Sequence, residues 1–207
     1  MTPQTAKLIA AAFSMKREIT SLVFIVLGVC LIPVFAVLIL TQAGFSFVSN
    51  ALATYDPQLL QVDIHDPATG EITGHVASSI AWPISGPVSL EFGESSPYQI
   101  FHTGIDIASP THQVGDPVIA FMKGKVIYAD ETPGGFGKHV EIDHGGHITS
   151  IYAHLDTILV TKDQEVDIGT IIGTRGNTGW STGPHLHFQI NIYGIPVNPR
   201  VFLTGNP

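Results

Sequence analysis

The hydrophobic positions divide the chain into an apolar run near the N-terminus and a longer region of short alternating segments. From Leu22 to Leu40 there are 19 consecutive residues without a charged or strongly polar side chain, and a helix of about 20 apolar residues spans the hydrocarbon layer of a membrane. Gly28 and Pro33 are tolerated in such a helix. The pattern predicts one transmembrane helix over 19–41, because a buried core helix would be shorter or would carry a polar face.

The basic residues around this run predict its orientation. Lys7, Lys16 and Arg17 precede the run, and the next basic residue is Lys123. Because Lys and Arg stay on the cytoplasmic side, we expect residues 1–18 in the cytoplasm and the rest of a single-pass membrane protein outside it. A cleaved signal peptide is the competing interpretation, and it is disfavoured because its apolar core covers only about 7 to 15 residues.

The chain beyond the apolar run changes character near residue 80. Residues 42–79 are mixed in pattern with several turn signals, and we expect an extracytoplasmic stalk or linker with room for a short hairpin. From residue 80 to 207 short β-type runs alternate with glycine and proline, and nothing after residue 41 has the 3.6-residue apolar period of a helix. The clearest predicted strands are Val126–Tyr128, Lys138–Ile142, Ile148–Tyr152, Ile158–Val160, Thr170–Ile172 and Leu186–Ile192.

Glycine-rich turns connect several of these strands. The runs at 133–135 and 144–146 have hairpin composition. Regular short strands joined by such turns are typical of a small antiparallel sheet that forms a sandwich or a partly closed barrel. The fold class predicted for residues 80–207 is therefore mainly β, and the pattern does not choose between the two architectures.

Charge and cysteine content exclude several functions. From residue 42 onward there are six basic and sixteen acidic residues, a net charge of −10 with histidines neutral, so the basic surface of a nucleic-acid-binding protein is absent. The single cysteine, Cys30, lies in the apolar run, and neither an intrachain disulfide nor a cysteine metal site can form. Of the ten histidines, all beyond that run, we interpret His65, His75 and His112 as surface residues.

Five residues of metal-ligand type lie in three short segments. His185 and His187 alternate along a predicted strand, so their imidazoles project from one face. His102 and Asp106 are four residues apart across a glycine that lets the chain turn both inward, and His154 ends another predicted strand. A catalytic zinc has three protein ligands and one open position. His102, Asp106 and one of the paired histidines would supply that set, and the other histidine would remain for chemistry.

Three motifs contain these residues, namely His102–Asp106, Tyr152–Leu155 and Thr178–Phe188. In order and spacing they resemble the signature motifs of the M23 metallopeptidases, the lysostaphin and LytM-like family of cell-wall endopeptidases. The resemblance runs from about Trp82 to Pro199. It implies a small antiparallel β domain with a groove over the sheet, which agrees with the strand pattern.

The resemblance also implies a function and a role for each residue. It implies that His102, Asp106 and His187 bind one Zn²⁺, and that His154 and His185 are the catalytic histidines. The implied activity is zinc-dependent hydrolysis of peptide stems or cross-bridges of bacterial peptidoglycan. A neutral imidazole would take the proton of the attacking water, and which of the two histidines does so is left open. The glutamate-base mechanism of H-E-x-x-H enzymes is excluded because that motif is absent.

Gln189 and Tyr98 lie near the five residues but outside that set. Gln189 stands where family members commonly carry glutamate; because it lies outside the five residues, we expect activity to survive. The motifs do not settle whether Tyr98, shortly before His102, assists near the metal.

Other functions are compatible with parts of this pattern. Some family members have lost metal ligands and activate other wall hydrolases, so a catalytically inactive module that binds the wall is the main alternative; the complete five-residue set disfavours it. A histidine phosphocarrier ranks lower, because an exported domain has no access to cytoplasmic phosphodonors. A membrane-anchored wall hydrolase would serve growth, division or the passage of a secretion or conjugation apparatus, and the sequence does not rank these processes.

Overall fold

The structure is a computed structural model that describes residues 20, 24, 26, 29, 31, 40–77, 81–96, 99–203, 205 and 207. The predicted membrane helix, apart from isolated positions and its end, lies outside the described residues, as do residues 1–18. In the part of the chain that is described, no helix is both long enough and apolar enough to cross a membrane. The chain divides into two units after Gly44, and the fold given below is that of Phe45–Pro207.

This unit is built of antiparallel strands, as the sequence predicted. Helical residues 45–52 begin this unit, and a 3₁₀ helix, η1, lies at Pro199–Val201. The strands are β1 Ala53–Asp56, β2 Gln61–His65, β3 Ile72–Ala77, β4 Val88–Leu90, β5 Ile105–Ala108, β6 Pro117–Ile119, β7 Gly124–Thr132, β8 Gly137–Asp143, β9 Ile148–Ala153, β10 Leu155–Ile158, β11 Glu165–Val166, β12 Ile171–Arg175, β13 His185–Ile192 and β14 Ile195–Val197.

The largest sheet carries the strands that matter for the site. Its order is β11-β7-β8-β9-β13-β5-β4, with β14 also paired to β13, and two three-stranded sheets have the orders β10-β12-β6 and β1-β2-β3. β13 pairs with both β9 and β5, and its residues from Leu186 to Ile190 are all buried. β13 alternates polar residues with Leu186, Phe188, Ile190 and Ile192, and this period of two made the strand clear in the sequence.

The strand predictions differ in accuracy along the chain. β7, β8, β9 and β13 contain the predicted runs, and the glycines of both predicted turns have positive φ, as hairpin turns require. The prediction for Ile158–Val160 began where β10 ends, and that for Thr170–Ile172 missed the second half of β12. β12 was hidden because its buried end is Arg175, a charged residue that the pattern treats as solvent-exposed.

Residues 45–77 are folded and share the hydrophobic core of the unit. No 3.6-residue apolar period marks residues 42–52 in the sequence, yet they are helical. The helix was missed since its buried face includes Ser49, whose hydroxyl accepts the Asn198 N–H at 3.2 Å. β1, β2 and β3 follow as a small sheet whose buried Val62 and Ile64 belong to the common core. The short hairpin allowed for in this region is part of that sheet.

Aromatic side chains support the floor under the site. Phe188 of β13 lies edge-on to Phe121 at a centroid distance of 5.3 Å and also contacts Tyr152 of β9 at 5.2 Å. The fully buried Tyr152 hydroxyl accepts the Phe121 N–H at 3.0 Å, and burial raises the pKa of this phenol above its ordinary value. These contacts hold β9 against β13, so the residues at the ends of both strands have a rigid base.

Candidate metal and catalytic site

The site lies where β13 begins, between β5 and β9. Register places His187 opposite Asp106 on β5 and opposite Ala153 on β9, so the residue after Ala153, His154, emerges beside it. His102 lies in the loop before β5. A cleft of about 450 Å³ opens above these residues, and the five predicted site residues all line it.

Three atoms converge at the floor of this cleft. His102 Nε2 is 2.9 Å from His187 Nδ1, Asp106 Oδ1 is 3.0 Å from His102 Nε2, and His187 Nδ1 is 2.9 Å from Asp106 Oδ1. Both imidazoles are buried and the carboxylate is partly exposed. Among the described residues, these three side chains form a group that could hold a metal ion.

The remaining ring nitrogens of the two histidines are also engaged. His102 Nδ1 lies 3.1 Å from the Glu91 carbonyl, and His187 Nε2 lies 3.4 Å from the Gln189 side-chain oxygen. Because a carbonyl oxygen only accepts, each of these nitrogens carries the proton of a neutral imidazole. The other ring nitrogens, His102 Nε2 and His187 Nδ1, then carry lone pairs that point at each other and at the Asp106 carboxylate.

The close approach of these three atoms is electrostatically unfavourable for the protein without a bound cation. Burial opposes the charge of Asp106, but the neighbouring His102 and His187 side chains outweigh this effect and hold the pKa of the carboxyl well below its usual range. Burial lowers the pKa of His187, and the neighbouring Asp106 offsets only part of that effect. Three acceptor atoms about 3 Å apart repel one another unless a cation lies among them, so the arrangement suits a metal ion.

The spacing of the three atoms fits zinc. Zinc bonds of about 2.0–2.2 Å separate tetrahedral ligand atoms by about 3.3 Å, and the distances of 2.9–3.0 Å found here are within about 0.4 Å of that value. Each histidine also donates its second ring N–H to an oxygen, the arrangement that orients metal-binding imidazoles in proteins. The residues therefore fit the ion that the sequence motifs imply.

Gly104 makes this approach possible. A Cβ added at Gly104 would stand 2.9 Å from His187 Cε1 and closer still to the Phe188 carbonyl oxygen. Only a residue without a side chain lets the loop pass against β13 at that point. The glycine between His102 and Asp106 therefore has the steric role that the sequence suggested.

His154 and His185 lie above the metal-type group. Their ring centroids are 4.7 Å apart, and His185 Nε2 is 3.5 Å from Asp106 Oδ2. His154 Nδ1 donates to the Thr178 carbonyl at 2.7 Å, and His185 Nδ1 donates to the Gly183 carbonyl at 2.8 Å. Both rings therefore present Nε2 as an acceptor.

The surroundings of His154 favour its neutral imidazole. Burial, together with the nearby His185 and His187, lowers the pKa of His154 to about 3, and the Thr178 carbonyl and Asp106 offset only part of this effect. His154 also has a left-handed backbone conformation, with φ of 60°, in the turn between β9 and β10. Such strain is kept only where the surrounding contacts hold a residue in place.

The residues that build the walls of the cleft were not predicted from the sequence. Phe136 lies 5.5 Å from the His187 ring, and Trp180, 60% exposed, lines the rim. The loops that carry them interlock, because Gly137 and Gly179 approach so closely that a Cβ on either would meet backbone of the other. The run of glycines around both aromatic residues was the available signal.

The other predicted residues do not join the site. His75 and His112 are exposed and His65 is half-buried, as interpreted from the sequence. Tyr98 lies outside the described residues. The metal and catalytic roles of the five cleft residues stay predictions, although the structure brings all five together.

Similarity to known proteins covers the segment that contains the five cleft residues. The family profile described as Peptidase family M23 matches residues 100–199. The murein hydrolase activator NlpD of Escherichia coli (strain K12) is 40% identical over 126 residues, which cover 61% of this chain and 31% of that protein. The peptidoglycan DD-endopeptidase ShyA of Vibrio cholerae is 43% identical over 97 residues, which cover 47% of this chain and 22% of that protein.

A solved structure agrees with both matches. A zinc containing peptidase from Vibrio cholerae superposes with a TM-score of 0.52 at 33% sequence identity, over 61% of this chain and 40% of that one. The chain spans about a third of the length of the NlpD proteins that it matches. Sequence profile, relatives and fold agree, and the chain belongs to peptidase family M23.

Proposed function

We propose that this protein is a zinc-dependent endopeptidase that hydrolyses peptide stems or cross-bridges of bacterial peptidoglycan. The observation that carries the proposal is the convergence of His102 Nε2, Asp106 Oδ1 and His187 Nδ1 within 3.0 Å of one another at the floor of a cleft. Two further imidazoles face the same space. Relatives include a peptidoglycan DD-endopeptidase and a DD-carboxypeptidase/endopeptidase.

In this proposal His102, Asp106 and His187 hold the ion. A bound zinc ion would polarise the scissile carbonyl and lower the pKa of a water molecule toward neutrality. The chain contributes the tautomers of both imidazole ligands, which the Glu91 carbonyl and the Gln189 side chain select. It also contributes a partly closed cleft that displaces solvent from the reacting groups.

His154 and His185 are assigned different parts of the proton transfer. His154 Nε2 is an acceptor that burial keeps unprotonated, so this ring orients the attacking water by accepting a hydrogen bond. A proton arriving at His185 Nε2 lies 3.5 Å from Asp106 Oδ2, and the carboxylate stabilises the resulting charge. His185 is therefore the general base, and it later returns the proton to the leaving amine.

Peptidoglycan cleavage tests the proposal directly. The full chain, purified with zinc, should release peptide fragments from isolated cell walls, and mass spectrometry of the fragments identifies the bond. His185→Ala should abolish release with zinc content unchanged, whereas His187→Ala should lose both. Full zinc content in the His187 variant, measured by elemental analysis, would show that the ligand assignment is wrong.

A second function is favoured by a separate observation. NlpD proteins 38–40% identical to this chain are described as murein hydrolase activators. An activator would release no fragments by itself and would stimulate a second wall hydrolase in the same reaction. Equal stimulation by wild type and His185→Ala, with no release by either alone, would replace the endopeptidase proposal with this one.

We propose further that residues 19–41 anchor the protein in the cell membrane with its N-terminus in the cytoplasm. The apolar run at 22–40 and the three basic residues before it support this placement. An alkaline phosphatase fused after residue 44 should be active outside the cytoplasm and remain with the membrane fraction. Release of the fusion into the soluble fraction would favour a cleaved signal peptide.

A further inference from the structure

Gln189 is buried two residues beyond His187 on the same face of β13. Its side-chain oxygen lies 3.4 Å from His187 Nε2 and 2.6 Å from the Thr103 hydroxyl, and its side-chain nitrogen donates to Asn191 Oδ1 at 2.7 Å. The side chain is 5% exposed. The contact with His187 is therefore buried, and the contacts with Thr103 and Asn191 are part-buried.

These contacts fix the direction of the amide. Because the Gln189 nitrogen is committed to Asn191, the carbonyl end faces His187. A carbonyl oxygen only accepts hydrogen bonds, and the Thr103 hydroxyl donates to it. The oxygen is satisfied on its second side only if His187 Nε2 carries the proton, and a neutral imidazole then has its lone pair on Nδ1.

We infer that Gln189 is a positioning residue that fixes the ring tautomer and orientation of His187 and thereby raises the zinc affinity of the cleft. The inference rests on the proposed zinc site. Gln189 touches neither the ion nor substrate; it acts through His187. Loss of such an outer hydrogen-bond partner typically weakens metal binding about 10- to 100-fold.

Three substitutions separate this role from a merely structural one. Gln189→Met keeps the length and burial of the side chain but removes the oxygen. Thr103→Val removes the Thr103–Gln189 hydrogen bond but leaves the Gln189 oxygen beside His187. It therefore controls for the loss of a hydrogen bond between β13 and the loop before β5. Gln189→Glu keeps an acceptor, and its charge faces a site that zinc makes net positive.

Zinc dissociation constants of the full chain, measured by chelator competition, give the first readout. Gln189→Met should bind zinc at least tenfold more weakly than wild type, while Thr103→Val and Gln189→Glu should stay within threefold or bind more tightly. Solvent exchange of the His187 Nε2 proton in the zinc-loaded protein, followed by NMR, gives the second. It should accelerate at least tenfold in Gln189→Met and stay slow in the other two.

The outcomes distinguish the inference from the function on which it rests. If wild type binds no zinc, both the metal site and the role of Gln189 are wrong. If wild type binds zinc and Gln189→Met binds it equally well, only the role of Gln189 is wrong. Equal weakening in Gln189→Met and Thr103→Val would assign Gln189 a structural role instead. If Gln189→Met fails to fold, Gln189→Glu decides the question. Zinc binding by Gln189→Glu that is more than tenfold weaker than wild type overturns the inference, and unchanged zinc affinity supports it.

Discussion

Substitution of Gly104 by alanine should disable the site by displacing the loop that carries His102. The new Cβ would stand 2.9 Å from His187 Cε1 and closer to the Phe188 carbonyl oxygen, whereas carbon atoms in contact are about 3.5–4.0 Å apart. The loop or the His187 ring must therefore move by about 0.6 Å or more. Overpacking of this kind costs about 1–3 kcal/mol of stability, and a misplacement of about 1 Å reduces catalysis about 100-fold.

Two measurements on Gly104→Ala test this reasoning. Chemical denaturation should show a loss of about 1–3 kcal/mol in the free energy of unfolding, and zinc-loaded protein should release wall fragments about 100-fold more slowly. Gly74→Ala is the matched control, because Gly74 does not line the cleft and a Cβ at this position meets nothing within 4 Å; both quantities should stay near wild type. A Gly104→Ala protein with wild-type stability, zinc affinity and fragment release would refute the steric argument.

Three other changes should have measurable effects. Burial lowers the pKa of His154 to about 3, whereas the unfolded chain protonates this ring below about 6.5; stability should therefore fall as pH decreases from 6.5 toward 3, and His154→Gln should reduce the slope by up to about 1.4 kcal/mol per pH unit in denaturation experiments. An unchanged slope in the variant would contradict the burial argument. Arg175 is fully buried and donates to the carbonyls of Ser85 and Ala108, so Arg175→Met should lower the free energy of unfolding by about 2–4 kcal/mol, and a melting temperature equal to wild type would count against it. Trp180→Ala removes the exposed aromatic ring at the rim and should raise KM for wall fragments about tenfold with zinc affinity intact, because aromatic side chains dominate contact energies; a loss confined to kcat would assign the ring a different role.

The site was largely predictable from sequence because its chemistry follows simple periodicity. Alternation along β13 puts His185 and His187 on one face, and their neighbours on β5 and β9 come from the other two motifs. Each histidine or carboxylate is a rare residue type in a core, so its position in a strand is informative. β9 and β13 were also predicted as strands, whereas β5 was not.

The parts that were missed depend on polar groups in buried positions. Ser49 on the first helix, Arg175 on β12 and Gln189 on β13 are all buried, and each has a hydrogen-bond partner distant in sequence. A hydrophobic pattern assigns such residues to the surface. Only the tertiary hydrogen bonds show that they belong inside, and these bonds are not encoded in local spacing.

Under the proposed anchoring at 19–41, the folded state of residues 45–77 limits how far the cleft can reach from the membrane. As an extended stalk, residues 42–79 would cover about 130 Å, enough to search the wall at a distance. Most of that length is instead incorporated in β1, β2, β3 and the helix before them, and a unit of this size has a radius of gyration of about 15 Å. With this anchor, the proposed peptidase would be held close to the membrane, and wall material would have to be within a few tens of ångströms of the bilayer surface to be cut.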